Sequence, residues 1–236
     1  MTAAAPASSV DSVTLAIIIP TYNAAEHLPA LFESLTTDLI ENHVTVVDAG
    51  SSDETADIAR HAGVTLLTTD TPGRGHQMRF GTRQIAADWY LLLHADSVLA
   101  SDWADTVQRF ISNIDNRQRA AYFRFKLNAN DAGARRLERM VEWRCNVLGL
   151  PYGDQGLLIS RELLADCGGV PDLPLMEDVQ LSRRLGKKRL HGFDIPLLTS
   201  DKRYRQRGYL LRSSKNILFL LLYFFGISPR LLSRWY

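Results

Sequence analysis

Five short polar segments carry side chains that could do chemistry together. DAGSSDET at 48–55 opens with Asp48, a carboxylate able to accept hydrogen bonds from a base N–H or from ribose hydroxyls. HADS at 94–97 places His94 and then Asp96 after an apolar run. A hard divalent cation prefers oxygen ligands and could bridge such a carboxylate to a diphosphate. GDQG at 153–156 adds Asp154 and Gln155, and GRGHQMRFG at 73–81 offers a flexible backbone with Gln77 and Arg79 as partners for a nucleotide or phosphate. LPLMEDVQLSRRL at 173–185 sets Glu177 and Asp178 at the start of a helical pattern, where the helix dipole favours an ionised carboxylate. Beside an acceptor hydroxyl such a group can serve as a general base, an effect worth roughly 10²- to 10⁴-fold in rate. Taken singly, each segment has a plainer reading: Asp48 and Ser51 as helix caps, Asp96 as a turn residue, Arg79 as part of a solvated face.

These segments follow elements that would aim them at one place. TLAIIIP at 14–20 is a continuous apolar run, as a strand buried on both faces requires. VTVVD at 44–48, VTLLTT at 64–69 and WYLLLH at 89–94 repeat the pattern. Helices fit between them: one opened by a capping-box-like Asn23 and Glu26, one by Ser51 and Glu54, one over 77–87. Strand–helix repetition of this kind predicts an α/β, doubly wound, mostly parallel sheet flanked by helices, with ligands outside the carboxyl ends of the strands. Further on, Ser101 caps an expected helix to about 114, AYFRFKL at 120–127 reads as a half-exposed strand, and 132–145 as a helix. A strand over 156–160, a helix over 161–166 and a helix opening near Glu177 follow.

With 236 residues, 46% of them apolar, the chain suits one domain with a sizeable core. Residues 1–13 read as a flexible lead-in, 14–200 as a single catalytic unit (14–100 binding nucleotide, 101–200 facing the acceptor) and 201–236 as a basic, apolar C-terminal segment. Two cysteines without CxxC spacing exclude a disulfide framework or structural zinc site and fit a reducing cytoplasm. The net charge of +1 conceals a division: residues 1–182 carry −10 and residues 183–236 carry +11. Such a tail attracts anions, whether phosphates or an anionic membrane surface. ILFLLLYFFGI at 217–227 is 11 residues, against roughly 20 needed to span a bilayer. Flanked by arginines, it suits a helix lying in the inner face of a membrane, or one packed in the core or against another subunit.

In order and spacing, IIIPTYNAAEHL, VVDAGSSDETADIA, GRGHQMRFGTRQIAADWYLLLHADS, YGDQG and LPLMEDVQLSRRL resemble the family 2 glycosyltransferases of the GT-A fold. The last two segments are similar to a bacterial branch labelled arsenosugar-biosynthesis-type glycosyltransferases. The resemblance implies transfer of one sugar, with inversion, from a nucleotide-diphosphate sugar (a UDP-sugar favoured) to an acceptor hydroxyl, with Mn²⁺ or Mg²⁺ as cofactor and no nucleic-acid partner. It further implies Pro20, Tyr22, Asp48, Gln77 and Arg79 around the nucleotide, and Asp96 as metal ligand. Asp178 becomes the base with Glu177 in support, and His94, Asp154 and Gln155 lie in the donor and acceptor pocket. His94 stands where the family often has a first Asp, Ala49 where a second Asp often follows Asp48, and Arg79 where Asn is common. The processive Gln-any-any-Arg-Trp motif is absent, in keeping with single transfer.

A dinucleotide oxidoreductase is disfavoured because TYNAAEH follows the first strand where a GxGxxG turn would be needed. A nucleotidyltransferase lacks its glycine-rich, lysine-bearing loop. The remaining rival is a non-catalytic nucleotide-sugar or lipid-phosphate binding protein of the same fold.

Overall fold

The computed structural model describes residues 13–40, 42–129, 131–199 and 209–235, with side chains throughout except at 209–214. The expected N-terminal lead-in at 1–13 lies outside these residues except for its last, as do the expected cationic side chains Arg203, Arg205, Arg207 and Arg212. Eight strands make one mixed sheet in the order β3-β2-β1-β4-β7-β6-β8-β5. The first four are β1 (Leu15–Thr21), β2 (Asn42–Asp48), β3 (Thr65–Thr68) and β4 (Trp89–Leu92), and all run parallel. They alternate with helices α1 (Leu28–Leu35), α2 (Thr55–His61) and α3 (Arg74–Gln84).

All seven residues of β1 are buried, because both faces of the strand are covered. Leu15, Ile17 and Ile19 join the core under α1 and α4 (Trp103–Ile111), whereas Ala16 and Ile18 join the core under α3. Pro20 survives in this central position for a geometric reason. It shares the orientation of Ile18, toward β4, but β4 pairing ends at Leu92, so the missing N–H forfeits no ladder bond. Since β2 and β4 leave β1 in opposite directions, a crevice opens beyond the carboxyl ends of β1 and β4, at the reversal of strand order.

The second half extends this sheet. β7 (Leu157–Ser160) pairs antiparallel with β4, and β6 (Ala120–Leu127) follows it. Expected to be half-exposed, β6 is almost wholly buried: it lies between β7 and β8 (Leu190–Thr199) and under α5 (Ala132–Leu148). Neither β8 nor the short β5 (Ser97–Leu99) was among the expected strands. α6 (Arg161–Asp166) and α7 (Glu177–Leu185) match the sequence expectation.

Several expected caps are replaced by long-range contacts. Asn23 has φ 49° and uses its side-chain oxygen to accept from Ser52 N–H across the β1–β2 loops, so it does not cap α1, which begins five residues later. Ser51 donates to Asp48 and accepts from Asn23 N–H, while α2 starts at Thr55 behind an Asp53 turn. Asp102, not Ser101, precedes α4, and α3 starts three residues earlier than expected, at Arg74. The C-terminal helix α8 (Tyr209–Phe224) begins before the expected apolar run and is followed by a short α9 (Pro229–Leu232). No helix among the described residues is long and apolar enough to cross a membrane.

Candidate active site

The crevice is an open cavity of about 400 Å³, within the roughly 300–1,000 Å³ usual for small-molecule sites. Tyr22 enters from the loop after β1, Arg74 and Gln77 from the start of α3, and His94 and Asp96 from the turn after β4. Across from them stand Tyr152 and Asp154 before β7, Asp178 at the start of α7, Thr199 at the end of β8 and Asn216 on α8. Six of the residues singled out from sequence therefore share one cavity: Tyr22, Gln77, His94, Asp96, Asp154 and Asp178.

The others stand behind it. Asp48, 3% exposed, accepts hydrogen bonds from the Thr21 hydroxyl and from the Gly50 and Ser51 N–H groups, bracing the turn after β2. Pro20 is buried in β1. Arg79 donates to the Val170 carbonyl and so ties α3 to the loop before α7. Gln155 donates to the Phe123 carbonyl and accepts from the Arg144 guanidinium and the Tyr152 N–H. Gln77 is largely structural as well: its amide spans the Thr21 and Val47 carbonyls at 2.7 Å each, closing the gap between β1 and β2.

Two glycines set the approach of the walls. A Cβ on Gly75 would lie 2.6 and 2.7 Å from the carbonyl oxygens of Pro171 and Leu173, so α3 can touch the 170–176 backbone only with glycine there. That contact lets the Arg74 guanidinium reach Glu177 at 3.0 Å and His94 Nε2 at 3.3 Å. A Cβ on Gly153 would meet His94 Nε2 at 2.4 Å, so His94 packs directly on the backbone that carries Asp154.

Asp178 is held at both oxygens. Oδ2 accepts from Gly153 N–H at 2.8 Å and Oδ1 from Val179 N–H at 2.7 Å, which fixes the carboxylate at the helix N-terminus with a further lone pair on each oxygen. Beside it, burial pushes the Asp154 carboxyl up to about 6; Arg144 opposes the rise, and the charges of Asp178 and Asp96 add to it. Asp154 Oδ1 and Glu177 Oε2 are buried oxygens without a hydrogen-bond partner among the described residues. Arg144 and Tyr152, neither foreseen as a pair, stack with the guanidinium 3.3 Å from the ring centre and support the Asp154 loop from beneath. Tyr152 stands in the quoted YGDQG, but nothing local in the sequence ties it to Arg144. A second cleft, of about 590 Å³, lies between α5 and β6–β8 and touches the site only through Gln155.

Glu177, 3% exposed, has its carboxyl pushed up to about 7, chiefly by burial, with Arg74 opposing and Asp178 contributing. Between the ordinary value of 4.5 and 7, the folded chain holds a proton that the unfolded chain releases. Stability therefore falls as pH rises through that window. Denaturant midpoints measured across it should decline for the wild type and decline less for Glu177→Gln. Parallel profiles would refute the shift.

No group of three or more His, Cys, Asp or Glu converges as a protein-only metal cage among the described residues. A Mg²⁺- or Mn²⁺-type ion that takes most of its oxygens from a diphosphate needs only one or two protein carboxylates. Asp96, with the unpartnered Oδ1 of Asp154 on the same cavity, fits that requirement.

Comparison with known proteins agrees with this architecture. The chain is 29% identical over 103 residues to Protein RfbJ of Shigella flexneri, covering 43% of this chain and 80% of that one. It is 25% identical over 122 residues to an uncharacterized glycosyltransferase of Rickettsia prowazekii, of whose length it spans 38%. S. aureus TarS 1-349, crystallised with UDP-GlcNAc, superposes with a TM-score of 0.61 at 18% identity, over 80% of this chain and 58% of TarS 1-349. Glucosyl-3-phosphoglycerate synthase of Mycobacterium tuberculosis, crystallised with Mn²⁺, UDP and glucosyl-3-phosphoglycerate, superposes with a TM-score of 0.60 at 18% identity, over 94% of this chain and 85% of that one. These two likenesses define the fold, which is GT-A. The model of glycosyl transferase family 2 matches residues 16–154, more than half of the sequence, and the chain belongs to that family.

Proposed function

We propose that the protein transfers a single sugar, with inversion, from a nucleoside-diphosphate sugar to an acceptor hydroxyl. The observation that carries this reading is that Asp96, Asp154 and Asp178 face one cavity at the strand-order reversal, with one buried oxygen of Asp154 unpartnered. Asp178 takes the proton of the acceptor O–H, and the oxygen attacks the anomeric carbon as the bond to the diphosphate breaks. Glu177 and Arg74 hold the wall from which Asp178 projects. Tyr22 and Gln77 line the nucleotide side, where Pro20, Asp48 and Arg79 shape the backbone. Asp96 and Asp154 would hold a divalent cation, whose chemistry is to neutralise charge on the leaving diphosphate. His94, braced by Gly153 and Arg74, lines the same cavity as these acids. In this reading residues 14–200 form the catalytic unit, and the likeness of the 152–156 and 173–178 segments supports assigning it to the arsenosugar-type branch.

UDP is the favoured nucleotide, a choice supported by its presence in the crystals of TarS and of glucosyl-3-phosphoglycerate synthase. A thermal-shift panel of UDP-, GDP- and dTDP-sugars with and without Mn²⁺ tests donor and cofactor together. A UDP-sugar should raise the midpoint most, and more with Mn²⁺. A panel without any shift would sink the reading, and shifts without sugar transfer to any acceptor would favour the non-catalytic binding protein.

A further inference from the structure

Helix α8 is apolar on two sides. Phe219 and Leu220 pack against Leu150, Leu175, Met176 and Val179, which back the cavity, and Asn216 reaches the cavity itself. The opposite side consists of Ile217, Leu218, Leu221 and Phe224, with Phe225 just past the helix end, between 45% and 83% exposed. A helix apolar all round normally lies in a protein core or in lipid, and among the described residues only one side of this one is covered. Its run of apolar residues is too short to span a bilayer, which leaves an in-plane position.

The surrounding charge selects the occupant. The Arg183 guanidinium lies 5.2 Å from the Phe224 ring, at the edge of the exposed side, and Arg184, Lys187 and Lys188 are exposed nearby in sequence. Residues 202–236 contain no acidic side chain. A symmetric pair of copies joined through this side would bring together two segments that each carry +11, whereas anionic headgroups neutralise them. We propose that the exposed side of α8 seats the protein on an anionic lipid surface, with the sugar-transfer cavity opening on the other side of the helix at Asn216, the residue before Ile217. The docking stands on α8 and its charges; only the use of the cavity rests on the function proposed above.

The test uses the full chain with phosphatidylcholine vesicles, with and without phosphatidylglycerol. Co-sedimentation should require phosphatidylglycerol and weaken in high salt. Phe225→Trp should be quenched by lipids brominated in the acyl chains, because that side would lie at the headgroup–acyl boundary. Leu218→Ser with Leu221→Ser, both exposed, should weaken vesicle binding at least about tenfold while the UDP-sugar thermal shift is retained. Equal binding to both vesicle types, an unquenched Phe225→Trp, or a dimer in light scattering that the double variant dissolves would each overturn the docking. A wild type that binds vesicles but shows no UDP-sugar shift would strike the donor reading and leave the docking intact.

Discussion

Asp178→Asn should reduce turnover by about 10²- to 10⁴-fold while donor affinity stays within a few-fold of the wild type. An amide oxygen can keep the hydrogen bond from Gly153 N–H, so the α7 start and the 152–156 loop retain their main tie. What the substitution removes is the capacity to take a proton and, since the amide nitrogen cannot accept, the bond from Val179 N–H. It also deletes one of the negative charges that raise the Asp154 carboxyl, which should ease diphosphate binding slightly. The discriminating measurement is a pair: kcat with a competent acceptor, and donor affinity from the thermal midpoint or calorimetry. Loss of donor binding in Asp178→Asn would move the residue out of the base role and into the donor site. A residual rate within tenfold of the wild type would leave the reaction without its proposed base.

Why Asp178 could be found from sequence and Arg74 could not is a matter of which interactions are local. Glu177 and Asp178 open an amphipathic helical pattern, and Asp96 lies in the turn after a buried strand, so each is placed by periodicity over a few residues. The parallel half was legible for the same reason: LAIIIPT, NHVTVVD and WYLL are short apolar runs that only a sheet covered on both faces accommodates. β8 escaped because LHGFDIPLLT holds Gly192 and Pro196, and its pairing with β6 slips between Tyr122 and Arg124, so the alternation breaks where a strand signal should be clearest. β6 read as half-exposed because Arg124 and Lys126 alternate with Phe125 and Leu127, yet a strand between two neighbours and beneath a helix keeps few positions open.

Side chains that join distant segments were hidden more deeply. The Arg74–Glu177 pair spans the approach of α3 to the 170–176 loop, which depends on Gly75 having no side chain. Asn23 and Ser51 have the composition of helix caps, and local rules assign them so. In the folded chain they bond to each other's loops, which locks the β1 and β2 ends together and fixes the rim from which Tyr22 projects. Asp48 follows the same logic: it accepts four hydrogen bonds, from the Thr21 and Ser51 hydroxyls and the Gly50 and Ser51 N–H groups, and these hold that rim.

For Asp96→Ala the expected result is loss of the manganese response: donor affinity measured with Mn²⁺ should fall on the order of 100-fold, and affinity without metal should change little. At a donor concentration that saturates both the wild type and the variant, that loss corresponds to about 2.7 kcal/mol of ligand-induced stabilisation, readily seen as a smaller thermal shift. The fold should tolerate the change. The turn after β4 is closed by Ser97 N–H donating to the His94 carbonyl, and its backbone does not depend on the Asp96 side chain. Removing one of three neighbouring carboxylates should even relieve repulsion on Asp154, whose carboxyl is raised in part by Asp96. The apo protein should therefore be no less stable than the wild type. Asp154→Asn supplies the control: if both acids hold the cation, each variant should lose the manganese response, whereas a purely structural Asp154 would leave it intact. An unchanged manganese response in Asp96→Ala would remove the residue from the metal site, since among the described residues no other carboxylate lines the β4 side of the cavity.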